Sequence, residues 1–147
     1  MVAEARGGTG MAEASGREKR GLVVEDEPAI AKVCVRTLGA EGFEVDVAVD
    51  GKSAQDRLRR NMYDLCLIDI RLPKMDGAEL YQQLKDDCPE MTNRVIFTSG
   101  DVINDNIKAF LEETGRPFLP KPFTPDELRS MIRTALPLSS RSRSGIQ

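Results

Sequence analysis

The chain has 147 residues, of which 40% are hydrophobic and 31% are charged, and its net charge is −3. This composition is ordinary for one globular domain of this length, and it lacks the basic excess of nucleic-acid-binding proteins. No apolar run approaches the ~18 residues that cross a bilayer, and no apolar segment of a secretion signal follows the N-terminus. We therefore expect a cytoplasmic protein that binds neither DNA nor a membrane.

The two ends of the chain show no hydrophobic period. Residues 1–20 mix glycine, alanine and charged residues, and residues 137–147 are rich in serine and arginine. Segments of this kind cannot bury enough apolar surface to fold. The sequence thus predicts a disordered leader over 1–20, one folded domain over 21–136 and a disordered tail over 137–147.

The folded part begins with a short apolar strand over 21–24, which ends in the acidic run 25–27. Pro28 suits the first turn of a helix, and apolar residues at helical spacing continue as far as Gly42. The first unit is therefore a strand, an acidic turn and a helix.

The same alternation recurs along the chain. Predicted strands span 44–49, 64–69, 94–98 and 117–120, and predicted helices span 52–61, 78–85, 103–113 and 125–136. Pro117 and Pro120 place the last strand at an edge, because proline cannot donate to a strand ladder. Five strand–helix repeats with short connections predict an α/β, doubly wound fold, with a five-stranded parallel sheet and helices on both faces.

The third predicted strand is apolar from Leu65 to Ile68 and ends abruptly in Asp69. In open parallel sheets, ligands bind at the carboxyl ends of the strands, which makes Asp69 a candidate site residue. The alternative is that Asp69 only caps the following loop, where aspartate is common.

All five strand ends fall on the same rim of the predicted sheet. That rim collects Glu25, Asp26, Asp69, Thr98 and Lys121. Three neighbouring carboxylates repel one another, and Mg²⁺ suits an oxygen-only ligand set. A lysine and a hydroxyl at the same place can hold phosphoryl oxygens, with Asp69 as the nucleophile.

Four motifs lie in order at successive strand ends: the acidic run ending at Pro28, the segment from Asp69 to Gly77, the triplet 98–100 and the triplet 121–123. Together they resemble the receiver domain of bacterial two-component response regulators over about residues 21–136. The resemblance implies a flavodoxin-like sheet with strand order 2-1-3-4-5.

The resemblance also implies a role for each acidic residue. Asp69 is expected to accept a phosphoryl group from a kinase phosphohistidine. Asp26 is expected to bind Mg²⁺ directly, Glu25 through water, and Arg71 through its backbone carbonyl. Glu25 stands where aspartate is more frequent in the family, which lengthens the reach of that carboxylate.

Three further residues take switching roles by the same resemblance. Thr98 is expected to supply the hydroxyl that moves toward the phosphoryl group, and Lys121 the cation that pairs with it. Phe118 corresponds to the aromatic switch position, without the hydroxyl of the commoner tyrosine.

The expected partners are a sensor histidine kinase or a phosphotransfer protein upstream and a protein partner downstream. The output face would be the fourth helix, the fifth strand and the fifth helix, and a homodimer could form through it. The short tail predicts no DNA-binding domain, and a receiver detached from a hybrid kinase is a further interpretation.

Two other functions stay open from the sequence. A magnesium-dependent phosphatase with an aspartyl nucleophile would require a second aspartate two positions after Asp69, where this chain has Arg71. An interaction module that is never phosphorylated would not need to retain the full set of acids, hydroxyl and lysine. The expectation is a signalling domain rather than an enzyme.

Overall fold

A computed structural model describes residues 19–72, 74–100 and 104–135. Its five strands are β1 (Lys19–Val24), β2 (Phe43–Ala48), β3 (Leu65–Asp69), β4 (Val95–Ser99) and β5 (Phe118–Pro120). Its five α-helices are α1 (Pro28–Ala40), α2 (Gly51–Arg60), α3 (Gly77–Asp87), α4 (Asp105–Thr114) and α5 (Pro125–Ala135), and a 3₁₀ turn spans Pro89–Arg94. Within the described ranges, no helix has the length and apolar character needed to cross a membrane.

The strands form one parallel sheet in the order β2-β1-β3-β4-β5. This order confirms the predicted doubly wound α/β fold, and β5 occupies the edge that its prolines predicted. Every residue of the central strand β3 is buried, as expected for an apolar strand that is covered on both faces.

The sheet divides the hydrophobic core in two, because alternate strand residues point to opposite faces. The α2–α4 core is built from Leu22, Val24, Cys66, Ile68 and Phe97 of the strands, together with side chains of α2 and α3 and half-buried residues of α4. The α1–α5 core is built from Val23, Leu65, Leu67 and Ile96, together with Leu38, Leu128 and Ile132 of the two helices.

Four of the five described α-helices start at side-chain caps, whereas α1 starts at Pro28 without one. Thr124 and Glu127 form the predicted capping box of α5: the Thr124 hydroxyl accepts from the Glu127 N–H at 3.0 Å, and the Glu127 carboxylate accepts from the Thr124 N–H at 2.8 Å. Caps of α2, α3 and α4 are supplied by Asp50, Asp76 and Asn104.

The predicted end of the leader is wrong, because β1 begins at Lys19 rather than Gly21. Lys19 pairs with Phe43 of β2, and the Arg20 N–H donates to Asp64 Oδ2 at 2.8 Å. The strand was predicted from its apolar residues, and its first two residues, Lys19 and Arg20, are charged. Residues 1–18 of the predicted leader, and the predicted tail over 137–147, lie outside the described residues.

A partly buried hydrogen bond joins the segment before β3 to β2, at the end of the sheet opposite the acidic rim. The Tyr63 hydroxyl donates to Asp46 Oδ2 at 2.6 Å, and Arg20 also donates to this oxygen at 2.9 Å. Burial, followed by the Asp46 carboxylate, raises the pKa of Tyr63 to about 12.

We expect Tyr63→Phe to lower the free energy of unfolding at neutral pH by about 1–2 kcal/mol, because one partly buried charge-assisted hydrogen bond is lost. The raised pKa also makes the native state hold its phenol proton more tightly than the unfolded state does. Wild type should therefore lose stability relative to Tyr63→Phe between about pH 10 and pH 12. Urea unfolding across that range measures both effects, and equal stability of the two proteins at pH 7 would contradict the prediction.

Candidate functional site

The strand register brings three of the sequence-predicted residues to one place. Asp69, the last residue of β3, lies opposite Thr98 of β4. Ser99 lies opposite Pro120 of β5, and the following Lys121 N–H donates to the Ser99 carbonyl at 3.0 Å. Asp69 and Thr98 are both buried. Adjacent parallel strands thus place a carboxylate, a hydroxyl residue and a lysine side by side at their carboxyl ends.

The chain leaves β3 in a tightly fixed path. The Ile70 N–H donates to the Thr98 carbonyl at 2.9 Å, and the Gly77 N–H donates to the Ile70 carbonyl at 2.8 Å. A Cβ on Gly77 would stand 2.7 Å from the Asp69 carbonyl oxygen and 2.8 Å from the Ile70 Cα. Only glycine therefore allows α3 to start against the end of β3.

The end of β1 contributes the other two acids. The Glu25 N–H donates to the Ala48 carbonyl of β2 at 2.9 Å, which extends the ladder by one residue. The Glu25 side chain is buried and Asp26 is exposed. One carboxylate oxygen from each of Glu25, Asp26 and Asp69 lies within 4.8 Å of the other two. The structure thus assembles the acidic cluster that the sequence predicted.

The Lys121 ammonium lies among the carboxylates. Its Nζ is 2.8 Å from Asp69 Oδ2, 2.9 Å from Glu25 Oε1 and 3.4 Å from Glu27 Oε1. Burial opposes the lysine charge, but hydrogen bonds to Asp69 and Glu25 outweigh it and raise the pKa of Lys121. Lys121 is therefore a fixed cation at neutral pH.

At Glu25, burial has a larger effect on the pKa than the hydrogen bond to Lys121 has, which is the reverse of the situation at Lys121. Burial raises its pKa most, and the hydrogen bond from Lys121 only partly offsets this, while the nearby Asp69 charge raises it further. An additional cation would stabilise the charged form of Glu25, because two buried carboxylates share one lysine.

The donor set fits a magnesium ion. All three candidate side-chain ligands offer carboxylate oxygen, and they converge within one small cluster. The exposure of Asp26 leaves room for water, which Mg²⁺ retains when only a few protein ligands bind it. The chemistry of these donors therefore agrees with the predicted metal.

Arg71 and Phe118 occupy different positions relative to this cluster. The Arg71 N–H donates to Asp69 Oδ1 at 3.0 Å, so Asp69 is held through both of its oxygens. Phe118 lies outside the acidic cluster: it pairs with Phe97 in the sheet register and packs, half-buried, against the α2–α4 core. Its role as a switch stays a prediction.

Two residues of the site were not among the sequence candidates. Glu27 forms an ion pair with Lys121. The acidic run that follows β1 is the sequence feature that could have indicated this residue. Gly77 forms the close contact between β3 and α3. Its signal was the Asp-Gly pair in the loop, which indicates a turn but not this contact.

A model of the response regulator receiver domain matches residues 22–133. The chain belongs to this family. Receiver domains are phosphoacceptor signalling domains of two-component systems, and Mg²⁺ binding at an acidic pocket is a general feature of them. The family membership agrees with the resemblance that the four motifs indicated.

Among curated relatives, the response regulator MprA of Mycobacterium sp. (strain KMS) is 33% identical over 118 residues, which cover 78% of this chain and 49% of that protein. The chain therefore spans about half the length of the curated relatives it matches. The similarity does not extend over the rest of the relative.

Solved structures show the same fold. A CheY-like receiver domain protein from Methanospirillum hungatei JF-1 has 28% sequence identity and a TM-score of 0.75, over 87% of this chain and 99% of that one. The receiver domain of a sensor histidine kinase from Pseudomonas aeruginosa PAO1 has 25% identity and a TM-score of 0.71, over 80% of this chain and 97% of that one. The latter was solved with a magnesium ion coordinated in its active-site cleft.

Proposed function

We propose that this chain is a phosphorylation switch in which Asp69 accepts a phosphoryl group from the phosphohistidine of a sensor kinase or a phosphotransfer protein. The observation that carries the proposal is the position of Lys121, 2.8 Å from Asp69 Oδ2, next to a second buried carboxylate. A cation held at a nucleophilic carboxylate is what phosphoryl transfer requires.

In the transfer step, a carboxylate oxygen of Asp69 attacks phosphorus, the phosphorus–nitrogen bond of the donor breaks, and the donor imidazole leaves. Lys121 neutralises negative charge on the transferred group, and the Arg71 N–H orients Asp69 through Oδ1. Glu25, Asp26, Asp69 and the Arg71 carbonyl would hold Mg²⁺, which supplies further neutralisation of the phosphoryl oxygens. Hydrolysis of the acyl phosphate by water, without a second protein, then resets the switch.

The output side of the proposal rests on how weakly α4 is attached. None of its described side chains is fully buried, and it meets the α2–α4 core through half-buried Ile107, Phe110 and Leu111. Little apolar area must be exposed to shift such a helix. We infer that Thr98 and Phe118 couple phosphorylation to the face formed by α4, β5 and α5, where a downstream protein or a second copy of the chain binds.

Phosphorylation by acetyl phosphate, read by intact mass, tests the proposal. The wild type should gain one phosphoryl group when Mg²⁺ is present and none when a chelator removes it. The chelator-treated sample, returned to excess Mg²⁺, should recover the adduct and so serves as the control. No adduct in a protein that binds Mg²⁺ by calorimetry would overturn the proposal and favour an interaction module that is not phosphorylated.

A further inference from the structure

The loop between β3 and α3 rests on the start of α2. The backbone of Met75 comes so close to Gly51 that a Cβ on Gly51 would overlap the Met75 carbonyl oxygen and Cβ. Gly51 is itself buried at the first position of α2. The contact therefore exists only because residue 51 is glycine.

An ion pair lies beside this contact. Lys74 Nζ is 3.4 Å from Asp50 Oδ2, while Asp50 Oδ1 accepts from the Ser53 N–H at 2.8 Å. The two carboxylate oxygens of Asp50 thus have separate partners, one in the loop and one in α2. The Ser53 N–H, and to a lesser degree Lys74, hold the pKa of Asp50 below its usual value, so Asp50 is charged at neutral pH.

Lys74 has a φ of 71°, in the left-handed region that residues other than glycine rarely adopt. Such a conformation persists where the surroundings fix it. The neighbouring Met75 packs, half-buried, against the α2–α4 core. The middle of the loop is therefore held by α2 and the core under it, at a distance of a few residues from Arg71.

We propose that Asp50 and Gly51, at the turn between β2 and α2, position the β3–α3 loop for the acidic site, and that Lys74 is the loop residue through which Asp50 acts. The proposal rests on the proposed function, since its effect is on the backbone of Arg71 next to Asp69. Small displacements of site groups have large effects on transfer rates, and sites depend on the elements that support them.

Two substitutions remove the ion pair and leave the helix cap in place. Lys74→Met removes an exposed ammonium, and Asp50→Asn retains a side chain that caps helices as well as aspartate does. Each should weaken Mg²⁺ binding, measured by calorimetry, and slow phosphorylation by acetyl phosphate by about two- to fivefold. The melting temperature should not change. Lys74→Arg should keep wild-type values, and Lys52→Met, at an exposed lysine in the first turn of α2, is the matched control.

The double variant Asp50→Asn/Lys74→Met shows whether the two residues act through their ion pair or independently of each other. If the residues act together, the double variant should match either single variant, because the second substitution has no interaction left to remove. Multiplied effects of the two substitutions would show that Asp50 does not act through Lys74, and would overturn that part of the proposal.

Gly51→Ala tests the steric contact. It should weaken Mg²⁺ binding and slow phosphorylation by about tenfold or more, because the loop must move away from the added methyl group. Gly39→Ala is the matched control, since a Cβ on this helical glycine meets nothing within 4 Å. If Gly51→Ala does not fold, the ion-pair variants decide.

Failure of this proposal is distinguishable from failure of the proposed function. A wild type that takes up phosphate, with Mg²⁺ affinity and rates unchanged in Lys74→Met, Asp50→Asn and any folded Gly51→Ala, would overturn the positioning role alone. A wild type that takes up no phosphate would overturn the proposed function, and the Mg²⁺ dissociation constants of the variants would still test the positioning.

Discussion

Asp69→Asn should abolish the phosphoryl adduct completely. Asparagine has the shape of aspartate, and its carbonyl oxygen can still accept from the Arg71 N–H that now donates to Asp69 Oδ1. An amide, however, is not a nucleophile under these conditions, and it carries no charge for Lys121. The measurement is intact mass after incubation with acetyl phosphate and Mg²⁺, with circular dichroism to establish that the variant is folded.

Asp76→Asn is the matched control for this substitution. Asp76 is an exposed aspartate of the same loop, and it caps α3 by accepting from the Glu79 N–H at 2.8 Å. Asparagine caps a helix equally well, so this variant should gain the adduct as the wild type does. An adduct on folded Asp69→Asn would show that phosphate attaches elsewhere, and loss of the adduct in folded Asp76→Asn would contradict the assignment of the reaction to Asp69 alone.

Lys121→Met should have the second-largest effect, on both stability and transfer. The methionine leaves Glu25 and Asp69 buried without the cation that both contact. Removal of one partner from a buried ion pair costs about 3–5 kcal/mol, and the transfer rate should fall by about a hundredfold because charge on the phosphoryl group is no longer neutralised. Urea unfolding and the time course of the mass adduct measure the two effects.

Mg²⁺ should restore part of the stability that Lys121→Met loses, because the ion binds the native acidic cluster and not the unfolded chain. At a hundredfold excess over its dissociation constant, a ligand adds about 2.7 kcal/mol. Lys85→Met, at an exposed lysine of α3, should stay within about 0.5 kcal/mol of wild type. A Lys121→Met protein as stable and as reactive as the Lys85→Met control would contradict the assigned role of Lys121.

The sequence predicts the acidic rim well, because the information is local. An apolar run that ends in an acid marks a strand end, and short strand–helix repeats force all strand ends to one side of the sheet. The proximity of Asp69 and Lys121 could therefore be predicted from the sequence. The boundaries of the elements differ by one or two residues from their predictions, because caps and frayed turns decide them.

Contacts between separate loops were beyond a reading of local patterns. The pairing of Asp50 with Lys74 and the contact of Gly51 with Met75 depend on how α2 packs beside α3. Lys19 belongs to β1 because β2 offers it a backbone partner, although its side chain is polar. The type of a side chain does not indicate which residues of another segment lie next to it.

The division of the hydrophobic core by the sheet affects which parts of the molecule can move independently. Phe118 and the half-buried residues of α4 contact the α2–α4 core, while α1 and α5 are held by the α1–α5 core on the other face. Movement of α4 can therefore disturb one layer while the other preserves the register of the strand ends. Of the proposed output face, α4 thus lies on the side of the sheet that can change its shape, whereas α5 lies on the side that keeps the rim in place.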